Sequence, residues 1–356
     1  METRMTHEEF HRLLEIIQIK ASDEFSTPPV VIRVGDSVIS TLGNFSASTG
    51  KGKSKKTFNV CAIVASALTN KKVLHYKAEF PDGKRNILYF DTEQSSYHCI
   101  KVLQRINRIC GLPVTQDNDQ LEFFKLRELG PLVRRQFIEM ALEERPMVGL
   151  VIIDGLRDLL FDINSSTEAA EVIGLLMKWS SRYNIHIHTV LHLNKADDNV
   201  RGHIGTELNH KAETILQIKK SELDGNISEV SASMVRDREF KPFAFSIVDG
   251  LPVLNEDYKF DPRTQRPTFN FESMDEELHR AALDKVFEGF SDPIGYGDLL
   301  KRLKIGYGSI GFGRSRNIIS RLKIFLESNG IIRKHGNGYV YNRGFRYVPH
   351  IPDEPV

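Results

Sequence analysis

Three cysteines in 356 residues, Cys61, Cys99 and Cys110, form no CxxC pair. That scarcity argues against a disulfide frame and against a zinc site, and fits inert thiols in a reducing compartment. No apolar run approaches the roughly 18 residues that a membrane span needs. The first twenty residues, METRMTHEEFHRLLEIIQIK, are charged throughout and helical in period, unlike a secretory signal. Net charge is nearly absent as well. Lys and Arg number 48 against 47 Asp and Glu, a sum of +1, so the whole molecule points to no acidic or basic partner. There is no internal repeat and no low-complexity tract. What these absences leave is a globular, cytoplasmic protein, with a length that suits two domains.

What is present is strand and helix in alternation. Residues 6–20 read as an amphipathic helix. Pro28 and Pro29 open the extended stretch VVIRV, and a second strand, SVISTLGNFSA, leads into the run STGKGKSKKT. The helix TFNVCAIVASALTN follows, then the strand ILYFDTE, a helix through Ile109, a short FFKL strand and a helix at about 131–144. VGLVIIDGL is the most apolar strand, and STEAAEVIGLLMKWSSRYN separates it from IHIHTVLHL. This order predicts an α/β fold, a mainly parallel sheet between helices, because strands buried on both faces read as continuous apolar runs. From about residue 212 the runs ETILQIKK, ISEVSASMVRDR and FAFSIVDG predict antiparallel strands closing the edge. The predicted parts are an N-terminal helix at 1–27, the α/β domain at 28–253, a proline-bearing linker at 254–273, a small domain at 274–346 and a tail at 347–356.

The segment Gly50-Lys51-Gly52-Lys53-Ser54-Lys55-Lys56-Thr57 fits GxxxxGK[ST] at all but one place. Lys55 stands where the second glycine belongs. A strand runs in and a helix starts at the Lys-Thr pair, as a phosphate loop requires. Successive backbone N–H groups wrap a phosphate and the helix N-terminus adds partial positive charge. The loop from Gly50 to Thr57, with Gly52, Lys53, Ser54 and Lys55 inside it, is therefore the candidate ATP site. Lys56 reaches the β- and γ-phosphates and Thr57 ligates Mg²⁺. Asp154, at the tip of the buried strand VGLVIID, is the second Mg²⁺-side residue; read alone, it would be a helix-capping acid. Glu93 follows NILYFD, where a carboxylate orients an attacking water, with Asp91 as its rival. His192, near the end of TVLHLNK, reads either as a γ-phosphate sensor or as a structural histidine.

These residues, in this order, resemble the RecA-like ATPase core. Within it the likeness is to the plasmid-type hexameric replicative helicase RepA and its relatives on mobile elements. HLNKADDNVRGHIGTELNHKAE carries that likeness, with a histidine strand, a loop and the turn Arg201-Gly202-His203. The form GKxKSxKTF looks like the altered phosphate loop of Bacteroides-type mobile-element ATPases. The resemblance covers residues 28–250. It implies Lys56 and Thr57 as the Walker A pair, Asp154 as Walker B, Glu93 as catalytic glutamate and His192 as sensor, in a bacterial homo-oligomer, a hexameric ring or a filament. It also implies a finger for a neighbouring subunit's phosphate in Arg236 and Arg238, two apart on the strand SMVRDREF, unless they are solvated edge arginines. Arg201 is a rival finger or a nucleic-acid contact. Lys55 departs from the family pattern; it points outward, or it adds charge to the γ-phosphate and slows turnover.

The C-terminal part hides a charge asymmetry. Between Lys301 and Arg346 stand eleven Lys or Arg against one acid, Glu327. Such a local excess suits a polyanion. The pattern helix, helix, helix, hairpin looks like a winged helix-turn-helix domain. Its third helix, RSRNIISRLKIFLESNG, turns Ile318, Ile319, Leu322, Phe325 and Leu326 inward and leaves Arg314, Arg316, Arg321 and Lys323 mostly toward solvent. The hairpin GIIRKHGNGYVYN adds Arg333 and Lys334 beside its wing at 335–338. These residues are the candidate DNA contacts, unless the small domain serves protein contacts or assembly. The expectation is an ATP-binding, ATP-hydrolysing, DNA-associated protein, a helicase or a helicase-loading or initiation ATPase. The alternative is an ATP-gated DNA-binding regulator with little or no turnover.

Overall fold

The computed structural model describes residues 5–193, 202–221, 224–260, 271, 274–290, 293–310 and 316–349, without the side chains of residues 15, 316 and 317. The chain divides into two compact units, Met1–Tyr258 and Lys259–Val356.

The first unit opens with α1 (His7–Ile17), capped by Thr6 and Glu9, each of which closes a hydrogen bond on the other's backbone. β1 (Val30–Val34), β2 (Ser37–Thr41) and β3 (Phe45–Gly50) follow, then α2 (Lys56–Thr69), β4 (Tyr76–Ala78), β5 (Asn86–Asp91) and α3 (Ser96–Cys110). Next come β6 (Leu121–Lys125), α4 (Pro131–Glu143), β7 (Val148–Asp154), a short 3-10 turn, α5 (Ser166–Arg182), β8 (His186–His192) and α6 (Gly202–Lys211). β9 (Thr214–Lys220), β10 (Ile227–Val235), β11 (Phe243–Val248) and β12 (Leu251–Leu254) end the unit.

Among the described residues the main sheet runs β12-β11-β10-β9-β3-β8-β7-β5-β6. The strands from β9 to β6 in that order are parallel to their neighbours, and β10 to β12 are antiparallel. Alternate residues of each strand feed two cores. One packs Ile87, Tyr89, Ile152 and Leu216 against α2 and α3. The other packs Leu88, Phe90, Val151 and Ile187 against α4, α5 and α6. This is an α/β fold, a mainly parallel sheet between two helical layers.

Two sequence readings are corrected here. SVISTLGNFSA is not one strand. The turn at Leu42–Asn44, with Gly43 at φ 81°, splits it into β2, which joins a small sheet with β1 and β4, and β3, which joins the main sheet. ETILQIKK forms β9, which is parallel to β3 and only its outer edge is antiparallel. A polar line also crosses the buried sheet. Ser46 Oγ lies 2.7 Å from both His186 Nε2 and His188 Nδ1, and Ser48 Oγ 2.9 Å from His188 Nε2. His186 Nδ1 faces the Thr41 carbonyl, which only accepts, so every hydrogen in the line is assigned: Ser48 to His188, His188 to Ser46, Ser46 to His186. Burial holds His188 down to about 3, so it packs neutral.

The second unit contains α7 (Glu276–Val286), β13 (Ile294–Gly295), α8 (Tyr296–Ser309), α9 (Arg316–Ser328), β14 (Ile332–His335) and β15 (Gly338–Tyr341), with the antiparallel order β13-β15-β14. Its core gathers Leu283, Leu299, Leu303, Ile319, Leu322, Leu326 and Ile332. No described helix is long and apolar enough to cross a membrane.

Candidate nucleotide site

Parallel strands finish on one edge, and the register decides which ends are neighbours. Gly50 at the end of β3 pairs with His192 at the end of β8, and Asp91 pairs with Asp154 across β5 and β7. Ligands of open α/β sheets bind at this carboxyl edge. A cleft of about 390 Å³ opens there, lined among others by Lys53, Ser54, Lys56, Thr57, Glu93, Asp154 and His192.

The loop leaving β3 is built by close approach. A Cβ on Gly50 would lie 2.3 Å from the Ile218 carbonyl oxygen and 2.5 Å from Ser54 Oγ, so only glycine lets β3 pass β9 here. Lys53 (φ 65°) and Lys55 (φ 66°) both hold the left-handed conformation that glycine enters most easily. Lys55 thus takes the backbone shape of the residue it replaces. Its ammonium donates to the Asn226 carbonyl on the β9–β10 turn, the outward one of its two readings. Burial, then the charge of Lys220, lowers its pKa.

Lys56 opens α2 and is 6% exposed. Its ammonium donates to the carbonyls of Gly50 (2.8 Å) and Lys51 (3.0 Å) and to His192 Nδ1 (3.1 Å). Burial brings it down to about 8, against the opposing pull of Asp154 and Glu93. Since His192 Nδ1 accepts from an ammonium, Nε2 carries the hydrogen, and it faces Glu93 Oε2 at 3.5 Å. The hydrogen bond from His192 is the main reason that Glu93 sits below the usual carboxylate range. Asp154 accepts from Tyr89 Oη (2.8 Å) and Thr57 Oγ1 (3.3 Å). Burial, reinforced by the charge of Asp91, raises its carboxyl to about 7.

Geometry also separates Glu93 from Asp91. Asp91 is fully buried and accepts from the backbone N–H groups of Glu93 and Gln94 and from the Gln94 side chain, so it holds the turn after β5. Glu93 is left to line the cleft. One wall escaped the sequence reading. His98, Lys101 and Arg105 lie along one side of α3, and the Arg105 guanidinium stands 3.7 Å over the Phe58 ring. The signal was available in the helical spacing of three basic residues just after Glu93.

Other candidates lie elsewhere. β10 ends at Val235, so Arg236 and Arg238 are not on a strand face but in the exposed loop after it. Val235 pairs with Thr214 at the start of β9, which lies beside Ser46 early in β3. Both arginines therefore follow the sheet edge opposite to Lys56 of their own chain. Arg201 and Arg314 lie outside the described residues, as does the Arg316 side chain. Arg321, Arg333 and Lys334 are exposed. Lys323 is not: it is 8% exposed, its ammonium 2.5 Å from Glu327 and 4.5 Å from the centre of the Tyr339 ring. The helical spacing that turned Leu322 and Leu326 inward carries Lys323 to the boundary, where Glu327 one turn on neutralises it.

Residues 11–198, more than half of the chain, match the family described as AAA domain. The chain belongs to that family. The matched span of this AAA-domain protein contains the phosphate loop, Glu93, Asp154 and His192, which makes it a P-loop nucleotide-binding ATPase by family. Among solved structures it is similar to the RadB recombinase, at 14% identity with a TM-score of 0.43, over 59% of this chain and 90% of that one. No curated protein matches it.

The donor set fits ATP with Mg²⁺. Lys56 holds its ammonium at the cleft on two loop carbonyls and His192, acceptors that phosphate oxygens can replace, and Ser54 Oγ in the same loop is buried without a hydrogen-bond partner. Thr57 and Asp154 present hard oxygen donors on one side of the cleft, the ligand type that Mg²⁺ selects. No cluster of three or more acidic, histidine or cysteine ligands occurs among the described residues; a Mg²⁺ on Thr57 and Asp154 would draw its other ligands from phosphate and water.

Proposed function

We propose that this protein binds ATP and Mg²⁺ in the cleft and hydrolyses the γ-phosphate bond, and that it works on DNA through its second unit. The observation that carries the proposal is the convergence of Lys56, Thr57, Asp154, Glu93 and His192 on one edge of the sheet. Gly50, Gly52, Lys53, Ser54, Lys55, Lys56 and Thr57 hold the phosphates, and Thr57 and Asp154 hold the metal. When bound, Mg²⁺ neutralises charge on the phosphate oxygens.

The side chains do the rest. Lys56 exchanges its loop carbonyls and His192 for phosphate oxygens. His192 Nδ1 is then free for a new donor, and Nε2–H stays toward Glu93, so occupancy is felt at the carboxylate. Glu93, kept ionised by His192, orients water and accepts its proton. Arg236 and Arg238, remote from their own chain's cleft, keep the reading of a finger for a neighbour in a ring or filament.

The order α7, β13, α8, α9, β14, β15, with its two-residue turn between His335 and Gly338, supports a winged helix-turn-helix unit. DNA contacts then come from Arg321, Arg333 and Lys334, with Arg201, Arg314 and Arg316, while Lys323 supports the helix. A helicase or helicase-loading role in plasmid or mobile-element replication suits both units. The test is phosphate release with and without DNA. DNA-stimulated release that vanishes in Glu93→Gln supports the motor. ATP-dependent DNA binding without turnover in the wild type supports the gated regulator instead. Retained ATP binding in Lys56→Ala refutes the site.

A further inference from the structure

Behind the cleft lies a guanidinium whose hydrogen bonds all avoid the phosphate loop. Arg134, in the first turn of α4, is 8% exposed. Nε donates to the Leu126 carbonyl at 3.0 Å and Nη1 to that of Asp158 at 2.6 Å. Nη2 donates to the Arg127 carbonyl at 2.9 Å and to that of Thr92 at 3.4 Å. All four acceptors are main-chain oxygens, and they belong to three separate connections. Thr92 follows β5, Leu126 and Arg127 follow β6, and Asp158 lies beyond β7. One planar fork thus ties together three strand ends. The single ammonium of lysine cannot span them.

Thr92 is where this tie meets the site. Its N–H donates to the Asp154 carbonyl at 3.1 Å, and its hydroxyl lies 3.0 Å from both the Gly155 carbonyl and Asp158 Oδ2. Gly155, at φ 115°, has no room for a Cβ, which would fall 2.0 Å from Thr92 Oγ1 and 2.9 Å from Glu93 Cγ. The turns after β5 and β7 are therefore locked against each other, and Glu93 is the next residue along. A buried charged donor is costly to leave unpaired, so the carbonyls cannot drift from the guanidinium without penalty.

We propose that Arg134 is a positioning residue for Glu93: it sets the carboxylate's reach into the cleft by fixing the Thr92 carbonyl against the turns after β6 and β7. This rests on the ATPase reading of the cleft. Because Arg134 touches nothing in the phosphate loop, its removal acts on turnover and leaves nucleotide affinity in place.

The experiment compares kcat and KM for ATP, and the Kd of a non-hydrolysable ATP analogue, in wild type, Arg134→Ala and Arg134→Lys. Arg134→Ala is expected to lower kcat by about 100-fold, the scale of a misplacement of about 1 Å. Kd should stay within about twofold, and added guanidinium at non-denaturing concentration should restore part of kcat, because the truncated side chain leaves room for it. Arg134→Lys keeps the charge without the fork, so it should fold where the alanine variant does not, and should still lose kcat with Kd unchanged. The proposal is overturned by a kcat near wild type in either folded variant, or by a loss of Kd that matches the loss of kcat. It is also overturned if guanidinium does not raise kcat in a folded Arg134→Ala. A wild type that releases no phosphate, or a Glu93→Gln variant as fast as wild type, instead overturns the ATPase reading, and is seen before any Arg134 variant is made.

Discussion

Two groups at the cleft titrate near neutrality, from opposite causes. Burial and the neighbouring charge of Asp91 raise Asp154 to about 7, and burial lowers Lys56 to about 8. Mg²⁺ needs the carboxylate ionised, while a polyphosphate needs the ammonium protonated. At about pH 6 only about one Asp154 in eleven is ionised, and at about pH 8 about ten in eleven. Because about half of Lys56 has lost its proton by about pH 8, affinity for Mg-nucleotide should rise about fivefold over that interval, or about 1 kcal/mol. By about pH 9 only about one Lys56 in eleven keeps its proton, and affinity should fall by a similar factor. The result is a bell with its top near pH 7.5, set by the free protein's groups. The assay is equilibrium binding of a fluorescent non-hydrolysable ATP analogue from about pH 6 to 9, with Mg²⁺ or with EDTA. The nucleotide's own titration is removed by comparison with Asp154→Asn, whose acid limb should be shallower by the Asp154 share. An identical acid limb in both proteins would refute the reasoning, as would a wild-type limb equally steep in EDTA.

Gly50→Ala forces a Cβ into the Ile218 carbonyl, and overpacking of this kind costs about 1–3 kcal/mol. The melting temperature should fall by several degrees and ATP affinity with it; an unchanged melting temperature would refute the close approach. Lys55→Gly relieves a left-handed lysine at about 1–2 kcal/mol but loses a hydrogen bond and adds unfolded-state entropy of similar size. Stability should stay within about 1 kcal/mol and nucleotide affinity should hold, whereas a tenfold loss of affinity would put the Lys55 charge on the nucleotide. His188 is held below its ordinary value, so the stability it lends is present above about pH 6.5 and drains as pH falls toward about 3. Asp154, raised in the same unit, shifts stability the opposite way, so the His188 share is read as a difference: lowering the pH from about 7 to 5 should cost wild type about 2 kcal/mol more than His188→Leu. Urea unfolding followed by fluorescence of Trp179, the one tryptophan and fully buried in α5, reads that unit; equal pH slopes in wild type and His188→Leu would refute the neutral packing of His188.

The order of strands and helices was legible because local patterns carry it. VGLVIID is apolar throughout since both faces of β7 are covered, and the Lys56-Thr57 pair announces a loop feeding a helix. The P-loop ATPase class follows from the same local runs, while the narrower helicase likeness does not. What the sequence could not decide depends on contacts between distant segments. The left-handed turn at Lys55 is one case, because the Asn226 carbonyl that receives its ammonium lies on another hairpin. The choice between Asp91 and Glu93 is a second, since only the folded turn shows Asp91 spent on backbone N–H groups. The end of β10 before Arg236 is a third, as pairing with β9 stops at Thr214. Lys323 is a fourth: a charge in a helical repeat looks solvated until Glu327 and Tyr339 close over it. Sequence periodicity reports which residues share a face. Register and packing, which bring Gly50 to His192 and Asp91 to Asp154, decide which of those faces meet.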